Sequence, residues 1–452
     1  MTGPRKGFVP RFLVWCLTIG PLVGLSAARD PGFCSGFRHA PSPAASESAS
    51  DQPLARLERL YKDHRYFELR DAVESMKDER GPEIEFYRGA VDEAFNRLDT
   101  AVARLRSYLE AGRTAGGDPP LAREAWTILG SAYLRSGRYR KAAEAQRFIL
   151  EHFGAGLEKG ERTNRQSQVI LWSALADRPP QSLEVLGESV IPLENRHFFP
   201  VRIKDKTFYF MYDTGASLSV LYQSAAEELG LTLLAQGAKV HAATGEWLDT
   251  WLAVVPELRF GRAVIRNAAF LVMPDSYFPV RKVREGIERR GLIGIPILTA
   301  LKEITQTRDG RLIIPASPRP RPAENMCLYG TKPLIEAFFR GARLIFDLDT
   351  GSDSTFLYPT FYRRYQKEIQ SRSTLRPVRM GTLGGGKTLT MYVLDEFPCQ
   401  VGGRDLTLRK VMVHTEVTHS NTEIFDGTVG IDVLAHCARM TLNFDSMSFV
   451  LE

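Results

Sequence analysis

With 452 residues, 44% of them hydrophobic and 25% charged, the chain is long enough for two or three domains that each bury a core, and its composition is ordinary globular. The net charge of +6 is spread along the length without a Lys/Arg block, which argues against a nucleic-acid footprint.

At the N-terminus, Arg5, Lys6 and Arg11 precede the apolar run Phe12 to Leu25, which closes on Ser26-Ala27-Ala28. That charged, apolar, small-residue order is the pattern of a secretory signal peptide over residues 1–28, so the mature chain is expected to be exported, periplasmic or secreted. The alternative is membrane anchoring by an uncleaved N-terminal segment, although the run is short for a full span. No later stretch is apolar enough to cross a bilayer, so no membrane span is expected after cleavage. Cys16 would leave with the signal, and Cys34, Cys327, Cys399 and Cys437 remain. In an exported compartment Cys399 with Cys437 is the expected disulfide, with other pairings open. None has CxxC spacing, and the histidines show no ligand spacing, so no metal or cofactor is expected; His414 and His419 read as solvated or structural.

Residues 29–52 are rich in Ser, Ala and Pro and read as a flexible linker. From 53 to 178 apolar residues recur at helical spacing. Trp126, Leu129, Gly130, Tyr133, Gly137, Tyr139 and Ala142 stand at the spacings of a tetratricopeptide repeat, and Gly89 with Ala101 repeats the twelve-residue interval of Gly130 and Ala142. Small residues there let paired helices approach closely. The region is either a packed scaffold or a groove for a protein partner, and Trp172 reads as the buried residue of a capping helix.

Pro179-Pro180 ends the helices, and short β-prone runs follow to the C-terminus. Two of these correspond: Phe208 to Leu221 (FYFMYDTGASLSVL) and Leu344 to Leu357 (LIFDLDTGSDSTFL). Each is a strand-like run that delivers one carboxylate onto an Asp-Thr-Gly turn. An offset of 136 carries Asp213 to Asp349, Gly245 to Gly381, Gly291 to Gly427 and Gly294 to Gly430, so the segment is an internal duplication. The first unit spans 186–316 and the second 325–452. Residues 317–324, within the proline-rich run Pro315 to Pro322, form the connector.

The two Asp-Thr-Gly turns, each followed by an apolar-apolar-Gly segment (Leu292-Ile293-Gly294 and Thr428-Val429-Gly430), closely resemble the aspartic peptidases, most of all the retropepsin-like branch with two units fused. The resemblance covers about Leu186 to Glu452. It implies a bilobal acid-protease β-barrel fold, a monomeric pseudo-dimer, and with the TPR-like α-helical array read from the spacing before it the chain is expected to be multidomain, α followed by all-β. It also implies an endopeptidase that acts on polypeptide substrate through Asp213 and Asp349. Thr214 and Thr350 would hydrogen-bond across the lobes, Gly215 and Gly351 would lend backbone groups to the carboxylates, and hairpins carrying Ala243, Thr244 and Gly245, and Gly381, Thr382 and Gly384, would be flaps over an extended peptide.

Two carboxylates about 3 Å apart share a proton and offer an acid and a base together. Ser352, which has no counterpart hydroxyl in the first unit, is expected to donate to Asp349 and make it the ionised member. Asp353 is expected to point outward to solvent or an Arg, and Asp347 to be paired elsewhere. The competing reading is a non-catalytic scaffold that keeps the fold while its helices bind a partner. Retention of both Asp-Thr-Gly turns counts against it.

Overall fold

The computed structural model describes residues 12–13, 17–18, 51–242, 246–278, 282–382, 385–417 and 421–452. The expected signal peptide (apart from two dipeptides), most of the linker, Cys34, the flap residues Ala243, Thr244, Gly245 and Gly384, and His419 lie outside the described residues.

Seven helices come first: α1 (Asp51–Lys62), α2 (Tyr66–Ser75), α3 (Pro82–Ala94), α4 (Leu98–Thr114), α5 (Ala122–Arg135), α6 (Tyr139–His152) and α7 (Lys159–Ser173). None of the described helices is long and apolar enough to cross a membrane. Pro82 opens α3, where its missing N–H costs nothing. The helices pack as sequential pairs because small residues sit at the crossings. A Cβ at Gly89 would lie 2.8 Å from Leu105, and one at Gly130 would lie 2.8 Å from the Gln146 amide. Arg165 of α7 fastens three helices together. Its guanidinium, buried against Glu161, donates to Gln146 Oε1 at 2.8 Å and Thr127 Oγ1 at 3.1 Å. Trp172 is buried on the same helix.

From Ser182 the chain is mainly β, in two lobes, with Pro359–Arg372 the longest of the helices that interrupt the strands among the described residues. In the first lobe, the strand Lys206–Tyr212 lies between Phe198–Ile203 and Ile287–Ile293, the latter running parallel to it with Met211 opposite Leu292. In the second lobe, Ala342–Leu348 lies between Lys332–Phe339 and Gly427–Val429, with Asp347 opposite Thr428. These registers coincide after a shift of 136. A third sheet joins the lobes, in the order Ser448–Leu451, Arg439–Asn443, Glu303–Thr307, Arg311–Ile314, Ser189–Pro192. Its central pair is Thr305 and Thr441, again 136 apart, whose hydroxyls meet at 2.8 Å. No strand or helix is assigned between Pro315 and Asn325, but this connector is held: Asn443 donates to the Arg319 carbonyl at 2.8 Å.

Two hairpins project from the lobes, Leu234–Ala242 with Trp247–Phe260, and Leu375–Thr382 with Gly385–Val401. Gly381 and Thr382 end the outer strand of the second, opposite Gly386 and Gly385. The dipeptides Leu17–Thr18 and Phe12–Leu13 pair as short strands with the two hairpins, at His241–Ala242 and Met380–Gly381.

The helices pack against both lobes. Arg343 pairs with Asp71 at 3.0 Å, Arg97 with Glu324 at 2.8 Å, and the His64 ring lies 4.9 Å from that of Tyr329. Helix α7 packs on the first hairpin, where the Lys239 N–H donates to Ser167 Oγ at 3.0 Å. The expected Cys399–Cys437 disulfide is not formed. Both are free and buried, as is Cys327, with Cys399 on the strand Gly385–Val401 and Cys437 before Arg439–Asn443 in the joining sheet. Sequence proximity did not bring the two sulfurs to one place.

Candidate active site

Asp213 and Asp349 follow the strands Lys206–Tyr212 and Ala342–Leu348 directly, and neither is exposed. Each backbone is tied to the later glycine segment of its own lobe: the Asp213 N–H donates to the Ile293 carbonyl at 3.2 Å, and the Asp349 N–H to Val429 at 3.0 Å. The Gly215 N–H donates to Asp213 Oδ1 and the Gly351 N–H to Asp349 Oδ1, both at 2.9 Å. A Cβ at Gly294 or Gly430 would lie 2.6 Å from the carbonyl of Ala216 or Ser354, so only glycine lets these segments back onto the aspartate turns.

The two turns meet across the lobe boundary. The Thr214 N–H donates to Thr350 Oγ1 at 3.0 Å, and the Thr350 N–H to Thr214 Oγ1 at 2.9 Å. Each hydroxyl donates onward into the opposite lobe, Thr214 to the Leu348 carbonyl at 2.8 Å and Thr350 to Tyr212 at 3.2 Å. The approach is close enough that a Cβ on Gly351 would lie 2.9 Å from Asp213 Oδ1. Asp213 Oδ2 is buried with no hydrogen-bond partner among the described residues.

Burial raises both carboxyls out of the usual carboxylate range. Asp213 is pushed up to about 6 by desolvation, partly opposed by the Gly215 N–H and by Arg289, Lys332 and His197. Asp349 is raised well above its ordinary value, by desolvation and then by the charge of Asp213, with Asp347 adding to it. The two carboxyls titrate as one pair, both raised by burial and Asp349 further by the charge of Asp213, so the proton belongs to the pair. The Ser352 hydroxyl does not serve Asp349 as expected, because the turn presents the Ser354 carbonyl to it at 2.8 Å.

Asp347 was expected to be paired elsewhere, while its partner Lys332, together with Arg289 and His197, was not singled out from the sequence. Asp347, fully buried, is paired with Lys332 at 3.2 Å and bonded by Thr428 Oγ1 and Tyr358. At the corresponding place in the first lobe, Met211, Tyr222 and the buried Arg289 meet, with Arg289 Nη1 3.1 Å from Met211 Sδ and Nε donating to the Tyr222 hydroxyl. The hairpin pairing that opposes Leu334 to Asp347 would have placed Lys332 near it, whereas nothing local marks Arg289. Asp353, expected to point outward to solvent or an Arg, is exposed but meets His197 of the first lobe rather than an Arg, because the lobes pack together there. Among the described residues no group of His, Cys, Asp and Glu is arranged to hold a metal, and His414 is buried beside the Phe356 ring.

Residues 199–297 match the model of a family described as aspartyl protease. That span includes the first Asp-Thr-Gly turn and ends just past Gly294, so the first lobe is similar to the aspartic peptidases along nearly its whole β framework. No curated protein matches the chain. Among solved structures, a retropepsin-like aspartic protease from Rickettsia conorii is similar at 21% identity over 30% of this chain and 94% of that chain, with a TM-score of 0.20.

Proposed function

We propose that the chain is an exported aspartic endopeptidase in which Asp213 and Asp349 form one proton-sharing pair between two fused lobes. The observation that carries this reading is the reciprocal Thr214/Thr350 bonding beside two buried, raised carboxyls, which supports a common axis for the pair. The ionised member of the pair accepts a proton from a water that attacks the peptide carbonyl. The protonated member gives its proton to the carbonyl oxygen; as the C–N bond breaks, the proton taken from the water passes to the leaving nitrogen and the intermediate's hydroxyl proton returns to the carboxylate that gave it, restoring the pair. An extended peptide would lie between the two hairpins, and the strand pairing of Leu17–Thr18 and Phe12–Leu13 with those hairpins supports strand-like docking. Export is supported by the order of Arg5, Lys6 and Arg11, then Phe12 to Leu25, then Ser26-Ala27-Ala28.

The test is hydrolysis of a mixed peptide library by the intact chain across roughly pH 3 to 7, where a carboxylate pair titrates, beside Asp213→Asn and Asp349→Asn. Cleavage abolished by either substitution establishes one shared pair. Activity that survives one substitution would place the pairing between chains. A wild type inert over the whole range would remove the peptidase reading and favour a scaffold.

A further inference from the structure

His197 immediately precedes the strand Phe198–Ile203 of the first lobe, yet its ring contacts the second. Nδ1 lies 3.0 Å from the Thr350 carbonyl oxygen, and Nε2 lies 2.8 Å from Asp353 Oδ1. The side chain is 9% exposed and that of Asp353 is 44% exposed, so the pair runs from the lobe boundary to the surface. The backbone of His197 is itself fixed: its N–H donates to the Glu194 carbonyl at 3.2 Å, and its carbonyl accepts from the Tyr212 N–H at 2.9 Å. One residue thus joins the strand that presents Asp213 to both sides of Gly351 in the turn that presents Asp349.

The two partners constrain the ring chemically. A carbonyl and an ionised carboxylate are both acceptors, so both nitrogens must donate, and only the imidazolium carries two N–H groups. Neutral imidazole can keep one of these bonds but not both. The contact is also confined to one side of the molecule. The 136-residue offset carries His197 to Pro333 and Ser217 to Asp353, so the mirrored position has neither a ring donor nor a carboxylate. The charged groups that face the ring are Asp353 across the boundary and Asp213 at the end of the adjacent strand; Glu194 meets it through its backbone, and Arg196 is its neighbour in the chain.

We propose that His197 is a positioning residue: its doubly donating ring clamps the second Asp-Thr-Gly turn onto the first, and the clamp is complete only where His197 is protonated and Asp353 ionised. This rests on the peptidase reading for its consequence, since the turn it holds is the one that carries Asp349. Its effect is a pH dependence additional to that of the carboxyl pair. The clamp is closed while the imidazole carries hydrogens on both nitrogens and loses one of its bonds when it gives one up.

The experiment has one arm that needs no activity. In the intact protein, ring 15N resonances of His197 should report hydrogens on both nitrogens at about pH 5, and Asp353→Asn should move the loss of the second to lower pH. A ring carrying one hydrogen at pH 5, or a titration indifferent to Asp353→Asn, overturns the clamp whether or not the protein cleaves peptides. The second arm compares His197→Asn, His197→Gln and Asp353→Asn with wild type. A broken charge-assisted bond in the supporting structure should lower kcat about tenfold at pH 5 with KM changed by less than about twofold, and the deficit should shrink above the pH at which the wild-type ring loses its proton. A deficit of equal size at every pH would make the residue merely structural. No hydrolysis by wild type would remove the peptidase reading, and the resonance arm would still decide the clamp.

Discussion

Replacing Thr350 with Val keeps the shape of the side chain and removes its hydroxyl. The Thr214 N–H then loses its acceptor at 3.0 Å, and the Tyr212 carbonyl loses its donor at 3.2 Å. Thr214, Thr350 and Tyr212 are all buried, so water does not readily replace either partner. Leaving two buried backbone groups unsatisfied should cost about 2–4 kcal/mol. A control is at hand in Thr299, whose hydroxyl bonds the Ile295 carbonyl of its own helix at 2.8 Å on a partly exposed face. Thr299→Val should change stability by less than about 0.5 kcal/mol. Urea unfolding of both variants, followed by far-ultraviolet circular dichroism at one pH, reads the difference directly. Equal stabilities for Thr350→Val and Thr299→Val would refute the claim that the threonine bonds hold the lobes at the aspartates.

The remaining predictions concern protons, packing and sulfur. Asp213 is raised from 3.8 to about 6 on folding, so the stabilisation it gives in protonated form is full below 3.8 and is lost as pH rises through about 6. Asp213→Asn should flatten the decline of the urea midpoint between about pH 4 and 6.5, and an unchanged decline would place the titrating group elsewhere. Gly351→Ala would put a methyl 2.9 Å from Asp213 Oδ1; hydrolysis should fall at least about a hundredfold while circular dichroism stays native, and a variant of wild-type rate would mean the turns stand farther apart. Because Cys399 and Cys437 are free, Cys399→Ser should leave thermal stability equally insensitive to reductant as in wild type. A wild-type melting point that drops on reduction would restore the disulfide.

What the sequence made legible is whatever the duplication repeats. The offset of 136 reappears in the strand registers of both lobes and in the Thr305–Thr441 contact, because equal spacing between strand, turn and returning strand imposes equal geometry. The positions of Thr214 and Thr350 follow from the same repetition. What the repetition could not reveal is where the halves differ. His197 and Asp353 are 156 residues apart and meet only because one lobe packs on the other. Arg289 and Lys332 occupy unrelated sequence positions, yet both act on the ionisation of Asp213. Ser352 was misjudged for a local reason: a hydroxyl in a tight turn has its own chain's carbonyls nearer than the neighbouring carboxylate. The cysteines illustrate the limit from the other side, since nearness along the chain says little about two residues on different strands.

The contact of α7 with the first hairpin gives the two halves unequal freedom. One hairpin has its strand Leu234–Ala242 backed by a helix and pinned through Ser167, while the corresponding strand Leu375–Thr382 has no such helical backing among the described residues. Under the peptidase reading the second hairpin is then the one expected to move more as peptide enters, a difference that the 136-residue repeat alone would not produce.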